Sequence, residues 1–279
     1  MRFSNVFGLF AMALAAGLSG GGFATAAHAT AVDGGLGLQD AVTPVMHDII
    51  SFHNMLLVII TSIVILVAVL LAIVILRFNS RANPTPSKTT HNTLLEVAWT
   101  VLPVMILVVI AIPSFRLLYK EVVVPEADMT VKAVGYQWYW GYEYPDNGDI
   151  ELISNMVEDD DLEPGQPRLF TADEALVVPV DTTVRVIVTA ADVIHAFAVP
   201  QFGVKIDAVP GRLNETWFRA EKTGMYYGQC SELCGTRHAF MPINVKVVTQ
   251  EEFEAWTEQQ LADAGADGKV KLAQAVDVR

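Results

Sequence analysis

The chain has 279 residues, 52% of them hydrophobic and 18% charged, and a formal net charge of −13. From Glu121 onward it carries 27 acidic against 12 basic side chains, which argues against nucleic acid as a partner and for a basic protein. Part of that acid, in "EDDDLEP" (Glu158 to Pro164) and in the C-terminal tail, also serves solubility.

Residues 1–29 read as a secretory signal: Arg2, the apolar run "VFGLFAMALAAGL", then an Ala-x-Ala pattern at Ala27 and Ala29. Export places the rest in an oxidising compartment, where two cysteines pair by default. Residues 30–53 form an outer segment with Asp33, Asp40 and Asp48. Two apolar runs follow, at 54–77 and 94–118, each long enough to cross a hydrocarbon core that needs about 20 helical residues. The second contains Glu96, Pro103 and Pro113, and membrane helices tolerate such prolines. Between the runs, residues 78–93 hold Arg81 and Lys88 and no acid, with Arg77 just before them. The positive-inside rule puts this loop in the cytoplasm and both chain ends outside.

Residues 119–249 are long enough for one small exterior domain. "MTVKAVGYQWYWGYEY" (Met129 to Tyr144), "TVRVIVTA" (Thr183 to Ala190) and "INVKVV" (Ile243 to Val248) read as strands, separated by turn signals such as Val209-Pro210-Gly211. Their spacing predicts an antiparallel sandwich or barrel. The stretch from Glu151 to Asp173 reads as an acidic surface loop. In residues 250–279 a helix begins, with Thr249 and Glu252 at capping-box spacing and Phe253, Trp256 and Leu261 able to share one face.

The chemistry concentrates in "GQCSELCGTRHAFM", residues 228–241, which holds the chain's two cysteines. A disulfide between Cys230 and Cys234 would close a very small loop and stabilise little. Zinc wants four side chains, and only Cys230, Cys234 and His238 are at hand, since Met241 is a poor zinc ligand. Thiolate, imidazole and thioether together suit copper. His195, in "ADVIHAFAVP", is the other histidine of the exterior domain, because His47, His53 and His91 flank the apolar runs. Singly, His195 and Met241 would read as core residues; the cluster changes their meaning.

Taken together, the apolar hairpin, "GYQWYWGYEY", "DVIHAFAVP", "DAVPGR" and "CSELCGTRHAFM" resemble subunit II of the haem-copper cytochrome c oxidases, of the bacterial kind with a cleavable signal. The resemblance implies a two-helix transmembrane hairpin followed by an all-β cupredoxin-like Greek-key barrel with a C-terminal helix. It also implies a binuclear copper A centre of two copper ions, with Cys230 and Cys234 as bridging thiolates. His195 and His238 would bind one copper each, Met241 would be a weak ligand, and Glu232 would give its backbone carbonyl. The Glu232 carboxylate would also bind magnesium at the contact with subunit I. By the same resemblance Trp138 is the electron-entry residue, Glu143 and Asp192 lie on the face that docks cytochrome c, and Glu96 stands at the mouth of a proton pathway. Asp207 and Arg212 would approach the haem region of subunit I. The implied partners are subunit I, subunit III, cytochrome c and the membrane. The implied location is the bacterial inner membrane, with both termini periplasmic.

Three alternatives are weaker. A quinol oxidase subunit II keeps the hairpin but lacks the copper ligands, and nitrous oxide reductase shares the copper motif without paired membrane helices. A membrane-anchored copper carrier would have no use for Trp138 or Glu96. Oxygen reduction itself cannot reside in this chain, which has no Cys-x-x-Cys-His for haem attachment.

Overall fold

The computed structural model describes residues 34–276; the signal expected over residues 1–29 lies outside them. Helix α1 runs over Pro44–Arg77 and α2 over Thr93–Val122. Among the described residues nothing buries their apolar windows, as suits helices whose solvent is lipid. The helix of α1 begins ten residues before the apolar run. The Thr43 hydroxyl accepts from the Met46 N–H at 3.1 Å and Pro44 occupies the first helical position, so the start is set by a cap rather than by hydrophobicity. At the opposite end of the hairpin, the Asn92 side chain caps α2 by accepting from Leu95 N–H. Both prolines of α2 are accommodated within one continuous helix.

Ten strands follow: β1 (Met129–Tyr136), β2 (Tyr139–Tyr144), β3 (Ile150–Ser154), β4 (Leu176–Pro179), β5 (Thr183–Ala190), β6 (His195–Val199), β7 (Val204–Ala208), β8 (Asn214–Arg219), β9 (Gly224–Gln229) and β10 (Pro242–Val248). They pair in the orders β3-β2-β1-β5-β8, β4-β10-β9 and β6-β7. This is a β-sandwich of the cupredoxin-like kind; among the described residues no ladder joins the sheets into a closed barrel. Three sequence expectations change. The stretch from Met129 to Tyr144 turns back on itself, with Tyr136 opposite Tyr139, so that Gln137 and Trp138 sit at a corner. The sandwich is mixed, because β1 runs parallel to β5 and β4 parallel to β10. The expected acidic loop begins as edge strand β3, whose inward Ile150 and Ser154 give it a buried side.

Alternation places Val184, Val186 and Val188 of β5 in the core and Arg185, Ile187 and Thr189 on the other side. Each buried valine contributes on the order of 1.5–3 kcal/mol. The C-terminal helix α3 (Gln250–Val276) starts with the expected capping box: Glu252 N–H donates to the Thr249 hydroxyl at 3.2 Å, and Thr249 N–H donates to Glu252 Oε2 at 2.9 Å. Its Phe253 is buried and its Trp256 packs 5.1 Å from the Tyr144 ring.

The domain is strapped to the hairpin by residues 42–48. Val42 N–H donates to Gln201 O, Glu221 N–H donates to Val42 O, and the buried Thr43 hydroxyl donates to Phe202 O at 2.8 Å. Lys120 of α2 reaches Pro44 O and pairs with Asp48, while Trp217 Nε1 donates to Lys120 O at 2.9 Å.

One close approach fixes how β9 lies on β6. A Cβ on Gly228 would stand 2.0 Å from the Ala198 carbonyl oxygen. Gly228→Ala must therefore push the two strands apart, and should cost at least about 1–3 kcal/mol and lower the thermal unfolding midpoint of the detergent-solubilised chain. Gly37→Ala, at a position with nothing within 4 Å, should leave the midpoint unchanged.

Candidate metal centre

The loop between β9 and β10 carries residues 230–241 and is closed at its base. Cys230 N–H donates to Met241 O at 3.2 Å, next to the Gln229–Pro242 pair of the ladder. Ser231 N–H donates to Ala196 O at 3.0 Å, which ties the loop to β6 immediately after His195. Two segments 35 residues apart thus meet through a backbone bond before any side chain is considered.

The side chains converge on a pair of sulfurs. Cys230 Sγ and Cys234 Sγ lie 3.9 Å apart, far beyond the roughly 2.05 Å of a disulfide, and both cysteines are free and buried. His195 Nδ1 stands 3.8 Å from Cys230 Sγ, and the Glu232 carbonyl oxygen lies 3.4 Å from the same sulfur. His238 Nδ1 and Met241 Sδ each lie 3.6 Å from Cys234 Sγ. Ligands at bond lengths of about 2.1–2.3 Å around a tetrahedral ion are about 3.4–3.8 Å from one another. The spacings therefore fit metal between the donors, with one histidine against each sulfur. The mixture of soft sulfur and imidazole nitrogen fits copper.

His195 is wholly buried, and its Nε2 lies 2.9 Å from Asp192 Oδ1. Partial burial disfavours the ionised Asp192, but hydrogen bonds from His195 and from the N–H groups of Val193 and Gln137 outweigh it and hold the carboxyl below its usual range. An ionised carboxylate only accepts, so Nε2 carries the proton and Nδ1 is left to face the sulfurs. Burial also pulls the His195 pKa down, yet Cys230 and Asp192 prevail and raise it. The ring fits because position 135 has no side chain, since a Cβ there would meet His195 Cδ2 at 2.8 Å.

The two thiols ionise as a pair. Burial raises both. At Cys230 the contacts with His195 and with the Glu232 and Ala196 backbone reverse the effect and lower the pKa to about 7. At Cys234 burial and the charge on Cys230 push it up to about 12.

Of the other residues singled out in the sequence, Trp138 stands at the site, with Nε1 3.3 Å from Cys234 O and the ring half-buried. Glu232 and its neighbour Leu233 are exposed. Asp192 holds His195 as described, so its carboxylate is engaged from inside the site. Glu143 makes a two-oxygen ion pair with Lys132 at 2.8 and 3.0 Å, which offsets its charge. Glu96 is exposed in the first turn of α2, away from the cluster. Asp207 accepts through its carbonyl from Asn214, and Arg212 is exposed on the loop before β8. Sequence reasoning missed Gln137, whose side-chain amide donates to Cys234 O at 2.8 Å. It also missed the glycines at 135 and 235 that make room around the site. The available signals were the glycines themselves, Gly135 at the start of "GYQWYW" and Gly235 directly after Cys234, which composition alone does not single out.

Comparison with known proteins follows the same boundaries. The family "Cytochrome C oxidase subunit II, periplasmic domain" matches residues 129–248, and "Cytochrome C oxidase subunit II, transmembrane domain" matches residues 31–117. The probable cytochrome c oxidase subunit 2 of Rickettsia bellii is 53% identical over 238 residues, which is 85% of this chain and 88% of that protein. Cytochrome c oxidase subunit 2 of Cereibacter sphaeroides is 49% identical over 243 residues, covering 81% of this chain and 80% of the other. The crystal structure of the periplasmic domain of subunit II of cytochrome oxidase from Bradyrhizobium japonicum is 61% identical, with a TM-score of 0.48, and covers 50% of this chain and 99% of that one.

The thiol pair makes metal uptake depend on pH. Above the lower pKa of about 7 and below the upper one of about 12, the pair holds one proton. Uptake of copper(I) at about pH 8 should then displace about one thiol proton, and at about pH 6 about two. Apparent affinity should fall more steeply with acidity below about pH 7 than above it, and the raised pKa of His195 adds in the same direction. Proton release during copper(I) titration in weak buffer measures this, and release that does not change with pH would contradict it.

Proposed function

The chain belongs to the cytochrome c oxidase subunit II family, and on that premise we propose that it is the electron-entry subunit of a membrane-bound oxidase, holding two copper ions as copper A. The observation that carries this reading is the set of four donors, from His195, His238, Met241 and the Glu232 carbonyl, around two unbonded, buried sulfurs 3.9 Å apart. When bound, the copper pair supplies a one-electron carrier whose charge is shared over both thiolates. The rest of the work falls to the chain itself.

Cys230 and Cys234 would hold the copper through their thiolates, His195 and His238 through their ring nitrogens, Met241 through its thioether and Glu232 through its backbone carbonyl. Asp192 keeps the His195 ring in one tautomer and one orientation. Burial of both thiols and of Met241 keeps water from the ligands and makes the geometry stiff, which favours fast electron exchange. Trp138 is the entry point: it is half-buried, and its indole N–H bonds the peptide of a ligand cysteine. Electrons come from a basic cytochrome c, drawn by the acidic exterior, with Glu143 and Asp192 on the docking face. They leave toward the haem of subunit I.

Glu232 serves a second metal. Its carbonyl faces Cys230 while the residue itself is exposed, so the carboxylate is free to bind magnesium where subunit I meets this chain. Glu96 sits in the first turn of α2, and it receives protons at the cytoplasmic mouth of a pathway into subunit I. The two helices span the bacterial inner membrane with both chain ends in the periplasm, and subunit III completes the complex.

In the purified complex we expect two copper ions per chain at this centre. We also expect reduction by limiting cytochrome c to slow as ionic strength rises, because exposed charges are screened beyond about 10 Å at 0.1 M salt. A single copper per chain, or reduction indifferent to salt, would overturn the corresponding part of the reading.

A further inference from the structure

Gln137 lies between the two arms of the site. Its backbone N–H donates to Asp192 Oδ2 at 2.7 Å, and the other oxygen of that carboxylate accepts from His195 Nε2 at 2.9 Å. Its side-chain Nε2 donates to the carbonyl oxygen of Cys234 at 2.8 Å. Trp138 Nε1 reaches the same oxygen only at 3.3 Å. One residue thus closes a hydrogen-bonded path, His195 to Asp192 to Gln137 to Cys234, that runs outside the donor atoms and joins the histidine of β6 to the cysteine loop.

The surroundings are shaped for this approach. Gly235, directly after Cys234, has φ of 125°, and a Cβ there would stand 2.9 Å from Trp138 Cζ2 and 3.2 Å from Gln137 Nε2. Only a residue without a side chain lets the corner at 137–138 rest on the peptide next to the ligand. Gln137 is itself exposed, so its amide is not there to fill the core, and its removal leaves no cavity. What it does fix is the plane of the Cys234 peptide, and through it the direction in which Sγ points and the seat of the indole.

We propose that Gln137 is a positioning residue for the metal centre: it locks the Cys234 peptide and the Trp138 indole to the His195–Asp192 arm. The proposal rests on the copper reading above. It assigns Gln137 a role directed inward, distinct from contact with an electron donor at the surface.

The direction of that role can be tested by charge. Gln137→Ala removes the donor. Gln137→Glu keeps the length but turns an acceptor carboxylate toward the Cys234 carbonyl, while adding an acid to a surface that would face a basic partner. The assembled oxidase carrying each variant is compared with the parent in copper content, the electron paramagnetic resonance spectrum, the midpoint potential of the centre and steady-state kinetics with a basic cytochrome c. Both variants should assemble with altered spectrum and potential, and should lose copper to a chelator roughly two- to tenfold more readily, the factor one neutral hydrogen bond is worth. Turnover at saturating donor should fall in both variants, with KM unchanged in the Ala variant, and the Glu variant should turn over more slowly than the Ala variant despite its added acid. Unaltered spectrum and potential with a change confined to KM would overturn the proposal, and so would loss of the subunit from the complex in both variants. Absence of copper from the parent complex would remove the copper reading itself, a failure that the variants cannot mimic.

Discussion

Two buried sulfurs held 3.9 Å apart with no bond between them set the terms for the domain around them. Two thiolates at that distance repel by roughly 4 kcal/mol at an effective dielectric near 20. Burial and this repulsion together make the pair give up its second proton only with difficulty, and they push the Cys234 thiol well above its usual range. Positive charge placed between the sulfurs relieves the repulsion and replaces the remaining proton. The arrangement is a costly one for a metal-free protein and a favourable one for a bound cation. That contrast explains why so much of the surrounding structure is devoted to holding the sulfurs still.

The holding is done mostly by backbone. Ser231 N–H on Ala196 O and Cys230 N–H on Met241 O set the loop before the ligands are placed. The absence of a side chain at 228 lets β9 press against β6, and its absence at 135 lets the His195 ring lie on β1. Further out, the strap at residues 42–48 and the Trp217–Lys120 bond fix the sandwich on the membrane hairpin. The height of the centre above the membrane is thus set by hydrogen bonds at a helix start, not by a flexible linker. For a protein that passes electrons from a soluble donor to a membrane partner, a fixed distance is the useful property.

Much of this was legible in the sequence because it rests on residue type. The apolar runs, the alternation of β5, the Thr249–Glu252 cap and the donor set around Cys230 and Cys234 each follow from local chemistry. What was not legible depends on chain crossing. The turn at Gln137 and Trp138 splits a run whose composition reads as one strand, and the parallel pairing of β1 with β5 joins segments some fifty residues apart. Asp192 was read for its charge and Gln137 was not read at all, because their hydrogen bonds to His195 and Cys234 exist only once β1, β6 and the ligand loop are assembled. The start of α1 at Pro44 was hidden for a simpler reason, since hydropathy marks where lipid begins and a cap marks where the helix begins.

The central claim is that the sulfurs bridge two copper ions. X-ray absorption at the copper edge of the purified complex tests it most directly. The account predicts sulfur and nitrogen neighbours around copper, together with scattering from a second copper across the sulfur bridge. A sulfur and nitrogen shell with no copper neighbour would mean a single ion, and would contradict the account at its base.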